Sequence, residues 1–223
     1  MSPPLPPPTD PEIALSLSYA PPARRAGLTA LWALDAQLGA TLRQAKDPMV
    51  ARLRLTWWYE ALGRLDTAPP PAQPLLAALA AHVLPHGVSG QALAAMTDGW
   101  EALLVPDPLS DADLLAYAGG RGALFVLAGT LLGAQAAPLA AAGRGWALVD
   151  LAAHVRDPET ALRARALAAP LLAEALAPRW RPQSRPLGAI AVLAERDLRR
   201  PDREPRGAPG RVLRMLKHRI TGR

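Results

Sequence analysis

Residues 52–62 read Arg52-Leu53-Arg54-Leu55-Thr56-Trp57-Trp58-Tyr59-Glu60-Ala61-Leu62, and they form the most distinctive stretch of the chain. Neighbouring residues on an α-helix point about 100° apart, so Trp57 and Trp58 cannot share one partner. We expect Leu53, Trp57 and Leu62 on one side of a helix. One Trp enters the core and the other meets a neighbouring helix or a cavity wall. On physical grounds alone, two bulky packing anchors are the favoured interpretation.

The sequence on both sides of this stretch also indicates helix. Ala and Leu dominate, β-branched and aromatic residues are scarce, and no segment alternates as a strand does. The 25 Pro fall mainly between apolar segments, where they separate helices. Thr9 is the predicted N-cap of the first helix. The pattern predicts one compact all-α bundle of about eight to ten helices, over residues 9–20, 26–42, 48–62, 74–84, 89–104, 110–134, 138–155, 158–177, 186–199 and 209–220.

Charge and proline divide the chain into three parts. We expect a Pro-rich flexible leader over 1–8, a helical domain over 9–199 and a basic C-terminal tail with a short helix over 200–223. A mobile link is expected over 201–210. Residues 179–223 hold 13 Lys and Arg against 4 Asp and Glu, a balance of +9, whereas the rest of the chain has a balance of −3. Such a basic end is suited to anionic lipid headgroups or nucleic acid, or is simply solvated.

Composition excludes several classes of site. The chain has no Cys, so it has no disulfide and no thiolate metal site, and its four His are dispersed. The N-terminus does not read as a signal peptide. Residues 122–143 carry no charge and are long enough to cross a bilayer, but their Gly and Pro content favours a buried helix followed by a turn. We expect a cytoplasmic protein, with peripheral attachment to a membrane as the open alternative.

Several motifs, taken in order, resemble the squalene/phytoene synthase family. Residues 52–62 are similar to its helix R-L-x-x-W-W-R-x-x-L, with Tyr59 where an Arg is usual. The resemblance implies the all-α bundle of the isoprenoid synthase fold. The other motifs that carry it are Tyr19-Ala20-Pro21-Pro22-Ala23-Arg24-Arg25, Ala30-Leu31-Trp32-Ala33-Leu34-Asp35, Met96-Thr97-Asp98-Gly99-Trp100-Glu101, Leu115-Ala116-Tyr117, Gly119-Gly120-Arg121-Gly122 and the ending Arg214-Met215-Leu216-Lys217-His218-Arg219-Ile220-Thr221-Gly222-Arg223.

The resemblance also implies a chemistry. Active members join two prenyl diphosphates head to head in a helix-lined cavity, with Mg²⁺ held by Asp residues at i and i+4 on two helices. Mg²⁺ is therefore the expected cofactor if the chain is active, and no other cofactor is indicated. Arg25, Arg52, Arg54 and Trp57 are the expected substrate-binding residues because they lie in family-like motifs. Arg121 and Arg156 are further candidates for binding phosphate.

The chain departs from the family at the metal-binding positions. The first Asp-rich motif should fall near Gly39 and Arg43, which supply no carboxylate, and Asp35 lies one turn earlier. On the helix that should carry the second Asp-rich motif, Asp150 and His154 stand at i and i+4, with His154 where the family has an Asp. Asp35 and Asp150 are thus the candidate catalytic residues, and Asp150 and His154 the candidate metal ligands. An Asp–His pair suits a transition metal better than Mg²⁺.

Two functions follow from this departure. The favoured one is a relative with a degenerate metal site that binds an isoprenoid, a lipid or a protein partner without standard catalysis. A short branch of the family resembles assembly factors for respiratory complex I, so a respiratory-complex subunit is a candidate partner. The alternative is an active prenyltransferase that condenses farnesyl or geranylgeranyl diphosphate. The basic tail has no interleaved aromatic residues, which disfavours nucleic acid.

Overall fold

The computed structural model describes residues 5–106, 108–134, 138–200 and 204–223. Proline and short polar caps set where most of the helices begin. The carboxylates of Asp10, Asp47 and Asp157 each accept a backbone N–H of the following turn, and Ser110 forms a capping box with Asp113. The α-helices of the described residues are α1 (Pro11–Ser18), α2 (Pro22–Gln44), α3 (Pro48–Gly63), α4 (Pro74–His82), α5 (Gly90–Ala94), α6 (Met96–Glu101), α7 (Asp111–Leu131), α8 (Pro138–Ala152), α9 (Pro158–Leu176), α10 (Arg185–Arg199) and α11 (Pro209–Thr221).

These helices confirm the predicted all-α class, while several details differ from the sequence prediction. The N-cap of α1 is Asp10 rather than Thr9, because the Asp10 carboxylate accepts the N–H of Glu12 at 2.8 Å. The helix expected over 89–104 is divided into α5, α6 and a 3₁₀ turn at Ala102–Leu104. Residues 1–4 of the expected leader and 201–203 of the expected link lie outside the described residues.

Helix α7 lies at the centre of the bundle. It packs against α2, α6 and α8, while α8 in turn contacts α9 and α10. α10 also packs against α1 and α11. α2 packs against α4 as well. By length and composition α7 is the one described helix apolar enough to cross a membrane, and 61% of its apolar window is buried within the protein. That burial is typical of a core helix.

Glycines bring α6 and α8 unusually close to α7. A Cβ added to Gly120 would lie 2.4 Å from the backbone nitrogen of Gly99 in α6, and one added to Gly122 would lie 2.6 Å from that of Arg144 in α8. Arg121 stands between these two contact points. The Gly-rich motif therefore holds two helices against α7 with the Arg121 side chain directed between them.

The buried face of α3 differs from the predicted one. Leu55, Trp58 and Leu62 are in the core, whereas Leu53 and Trp57 are 63% and 48% exposed. Trp57 packs edge-to-face on Trp58, with the ring centroids 5.1 Å apart. One Trp of the pair lies in the core, as predicted. The prediction that Leu53, Trp57 and Leu62 lie on one side of the helix is wrong, because only Leu62 of the three is buried.

The basic C-terminal residues fold back onto the body. Arg211, Met215 and His218 of α11 are buried against the protein. The Arg211 guanidinium donates to Glu12 of α1 at 2.5 and 2.8 Å and is also paired with Asp197 of α10. This three-residue cluster, which we call the Arg211 clamp, joins the beginning of the fold to its end.

Candidate functional site

A cavity of about 860 Å³ lies between the central helices and the N-terminal segment. Helices α2, α6, α7, α8 and α10 contribute to its wall, together with residues 6–10 and α1. Trp32, Trp100 and Trp146 give the wall an aromatic surface, and Trp32 packs edge-to-face on Trp146 with centroids 5.3 Å apart. Leu103, Ile190 and Leu193 add aliphatic surface. The cavity wall is therefore mainly apolar, and the charged groups at its centre form one network.

Arg121 is the centre of that network. Its Nε and Nη2 donate to the two oxygens of Asp35 at 2.9 and 3.0 Å, a two-pronged pair between α7 and α2. Its Nη1 donates to Asp150 Oδ2 of α8 at 2.7 Å and to the Tyr117 hydroxyl at 2.6 Å. Four of the five N–H groups of the guanidinium are used in this way. The two carboxylates singled out in the sequence thus meet at one buried cation.

Two Trp rings enclose the same guanidinium. The Arg121 Cζ lies 4.8 Å from the ring centroid of Trp100 and 4.3 Å from that of Trp146. Aromatic faces attract a cation and exclude water from it. The close approach of α6 and α8 to α7, which Gly120 and Gly122 permit, brings these two rings to the guanidinium.

The electrostatics of the network follow from its burial. Burial acts to lower the pKa of Arg121, but Asp35, Tyr117 and Asp150 outweigh it and hold that pKa above its ordinary value. Arg121 is therefore protonated. Burial raises the pKa of the Asp35 carboxyl, and the Arg121 charge opposes this rise. Burial likewise raises the pKa of Tyr117, whose hydroxyl stays neutral at physiological pH.

The carboxylates do not fit a Mg²⁺ cluster. Mg²⁺ binds carboxylate oxygens that are free to face it, whereas Asp35 and Asp150 both face Arg121, and a guanidinium repels a cation placed beside it. Within residues 5–106, 108–134, 138–200 and 204–223, no three His, Cys, Asp or Glu side chains are grouped as metal ligands. Asp35 and Asp150 are therefore arranged as partners of an internal ion pair and not as metal ligands.

The residues at the divergent family positions line the cavity without completing a metal site. Gly39 packs so closely on Trp100 that a Cβ would lie 2.8 Å from the ring, and Arg43 is exposed at the rim. The Nδ1 of His154 lies 2.6 Å from the backbone oxygen of Asp150 and 3.8 Å from Asp150 Oδ2. Its short contact is thus with the main chain rather than with the Asp150 carboxylate.

Two more arginines close the cavity on the side of the chain ends. Arg206 contacts Asp10 and lies 3.5 Å from Asp150 Oδ1. Arg211 belongs to the clamp with Glu12 and Asp197. The sequence does not indicate either arginine as part of the site, because Asp10, Glu12 and Asp150 are distant from them in the sequence. For Arg121 a signal did exist, since it is the one charged residue between Leu114 and Leu131 and a charge in such an apolar helix requires a partner.

The expected substrate-binding residues lie outside the cavity wall. Arg25 donates to the backbone oxygens of Ala20 and Ser18 at 3.0 and 2.9 Å. Arg52 is half-exposed and pairs with Glu101 at 3.2 Å. Arg54 and Arg156 are exposed, as is about half of Trp57. The structure thus brings Asp35, Asp150, His154 and Arg121 together, and a binding role for the others stays a prediction.

Comparison with known families agrees with this architecture. The family model described as squalene/phytoene synthase matches residues 7–165, which is more than half of the chain and includes Asp35, Arg121 and Asp150. No curated protein and no solved structure gave a match. The all-α bundle is also the isoprenoid synthase fold of that family. The chain belongs to the squalene/phytoene synthase family.

Proposed function

We propose that this chain is a non-catalytic member of the family, which keeps the cavity and uses it to bind an apolar isoprenoid or lipid. The observation that carries the proposal is the position of Arg121. Its guanidinium is bonded to both Asp35 and Asp150, the two acids left at the family's metal-binding helices. A permanently charged side chain of this protein thus neutralises the carboxylates that Mg²⁺ requires.

Displacing this guanidinium would be costly. Arg121 and Asp35 are less than a tenth exposed, and the ion pair is held at 2.9 and 3.0 Å. Moving the cation aside would leave a buried charge without its partner, a cost of about 3–5 kcal/mol. This cost argues against a resting state that admits Mg²⁺ between the two carboxylates.

The charges around the cavity favour an apolar ligand over a diphosphate. Arg121, Arg206 and Arg211 each contact two acidic residues, so their charge is already compensated within the protein. A diphosphate carries negative charge that would have to compete with these carboxylates. An alkyl or prenyl chain gains instead from the Trp and aliphatic wall, at about 25 cal/mol for each Å² removed from water.

Binding is tested with farnesol as the probe. Trp32, Trp100 and Trp146 line the cavity, so farnesol should change the tryptophan fluorescence in a saturable way. Ala36→Trp places a large side chain at an exposed position of the cavity wall and should weaken binding at least about tenfold. Ala26→Trp, at an exposed position of α2 outside the wall, is the matched control and should bind as the unmodified chain does. Equal binding by both variants would place the ligand elsewhere.

Catalysis is tested separately. Purified protein is incubated with farnesyl or geranylgeranyl diphosphate, Mg²⁺ and NADPH, and the extract is analysed for squalene-type or phytoene-type hydrocarbon. We expect none. A hydrocarbon product that disappears in Asp35→Ala and Asp150→Ala would instead establish the alternative, an active head-to-head prenyltransferase.

A further inference from the structure

Helix α11 presents an aliphatic stripe to solvent. Leu213, Leu216 and Ile220 are 66%, 44% and 65% exposed, and their spacing of three and four residues places them on one side of the helix. The opposite side holds Arg211, Met215 and His218, which are buried. The stripe is thus directed away from the body, although leaving three large aliphatic side chains in water is unfavourable.

Cations border this stripe on both sides. At about 100° per residue, Lys217 falls on one edge of it and Arg219 on the other. Neither has an acidic partner among the described residues; Arg219 donates to the Tyr19 carbonyl at 2.8 Å and stacks on its ring. Residues 209–223 contain no Asp or Glu. The surface formed by Leu213, Leu216, Ile220 and these two cations, which we call the α11 surface, is apolar along its centre and positive at its edges.

The α11 helix is held so that this surface stays in place. Arg179 Nε donates to the Thr221 carbonyl at 2.6 Å, and Arg185 Nη1 donates to those of Arg219 and Ile220 at 3.0 and 3.1 Å. These arginines bind the unpaired carbonyls at the helix C-terminus and add further positive charge there. The α11 surface is therefore preformed, and docking needs no folding step.

From this combination we propose that the α11 surface docks on the surface of an anionic lipid bilayer. The aliphatic side chains enter the boundary between headgroups and acyl chains, and the bordering cations meet anionic headgroups. A second copy of the chain fits less well, since pairing two such surfaces would bring Lys217 and Arg219 against the same cations. This surface is separate from the cavity wall, so the proposed membrane docking does not depend on the ligand proposed for the cavity.

The experiment is co-sedimentation of the full chain with lipid vesicles. We expect binding to phosphatidylcholine vesicles that contain phosphatidylglycerol, no binding to phosphatidylcholine alone, and release by salt at about 0.5 M. The triple variant Leu213→Gln, Leu216→Gln, Ile220→Gln should bind at least about tenfold more weakly. Lys217→Gln should reduce the affinity about fivefold.

The matched control is Leu162→Gln, which alters a leucine of α9 that is 67% exposed, nearly the same fraction as Leu213. It should bind vesicles as the unmodified chain does, and thermal unfolding should show that all variants are folded. The proposal is overturned if the unmodified chain does not bind anionic vesicles, or if Leu162→Gln weakens binding as much as the triple variant does. It is equally overturned if the chain forms a dimer that the triple variant abolishes while vesicle binding is unchanged.

Discussion

At the scale of single residues, Arg121 is the charge on which the proposed loss of catalysis rests. It is a fixed cation between carboxylates on α2 and α8, and the rings of Trp100 and Trp146 exclude water from it. Unlike a metal ion, it cannot dissociate and carries no open coordination position for a substrate. The ion pairs on which the proposed function rests therefore also join α2, α7 and α8.

Arg121→Met should destabilise the protein by about 3–5 kcal/mol, because Asp35 and Asp150 then lie close together without their cation. The free energy of unfolding in urea measures this loss. Added Mg²⁺ should raise the melting temperature of Arg121→Met but leave that of the unmodified chain unchanged. Arg52→Met is the control, since the half-exposed pair with Glu101 is worth at most about 1 kcal/mol. Equal losses in the two variants would contradict this role of Arg121.

At the scale of helices, the spacing of glycines along α7 determines what surrounds the site. Gly120 meets α6 and Gly122 meets α8 at backbone contact, whereas nothing lies within 4 Å of a Cβ built on Gly119. The three glycines of residues 119–122 therefore differ in whether the structure needs a residue without a side chain at that position. Two are needed for the close approach of neighbouring helices, and the third only lowers the helix propensity of α7.

Gly122→Ala should destabilise the protein by about 1–3 kcal/mol, because its methyl group would overlap the backbone of Gly143 and Arg144 and push α8 away. Gly119→Ala should instead be neutral or stabilise by about 0.5–1 kcal/mol. Thermal unfolding of the two variants gives both values. The contact described for α7 and α8 would be refuted if Gly122→Ala were as stable as Gly119→Ala.

At the scale of the whole molecule, a buried histidine should make the stability depend on pH. His218 lies under α10, with its ring edge-to-face on Trp180 at 5.7 Å and no hydrogen-bond partner for either ring nitrogen among the described residues. Burial, with the nearby charges of Arg185 and Arg214, lowers the pKa of His218 from 6.5 to about 4. The folded protein therefore excludes a proton that the unfolded chain accepts.

The free energy of unfolding should fall as the pH is lowered from about 6.5 to about 4, because only the unfolded state binds the extra proton in this range. A pKa difference of this size corresponds to a loss on the order of 3 kcal/mol. His218→Phe keeps the ring contact with Trp180 and removes the titration. Urea unfolding at several pH values gives the free energy of unfolding as a function of pH. Its slope should be larger for the unmodified chain than for His218→Phe, since the contributions of Asp and Glu are the same in both proteins. Parallel curves would contradict the assignment.

Features set by residues close together in the sequence could be predicted, whereas features set by distant residues could not. Caps and Pro fixed most helix starts, since they act on the nearest backbone N–H groups. The buried face of α3 cannot be predicted in this way, because Leu55 and Leu53 are equally apolar and only the neighbouring helices decide between them. Asp35 and Asp150 were identified singly. Arg121 is also a candidate from the sequence, but not as their partner, because it lies 86 residues from Asp35 and no local periodicity reports such a pair.

The Arg211 clamp has a consequence for how the protein is made. Glu12 leaves the ribosome early, but its buried partner Arg211 follows 199 residues later. Until then Glu12 and Asp197 have no cation between them, and α1, which forms part of the cavity wall, is not fixed to α10 and α11. A nascent chain that has completed α2 to α9 would therefore still expose an unfinished apolar cavity. Completion of the pocket is a late event of synthesis, and a chain terminated before residue 211 is a natural target for chaperones and proteases.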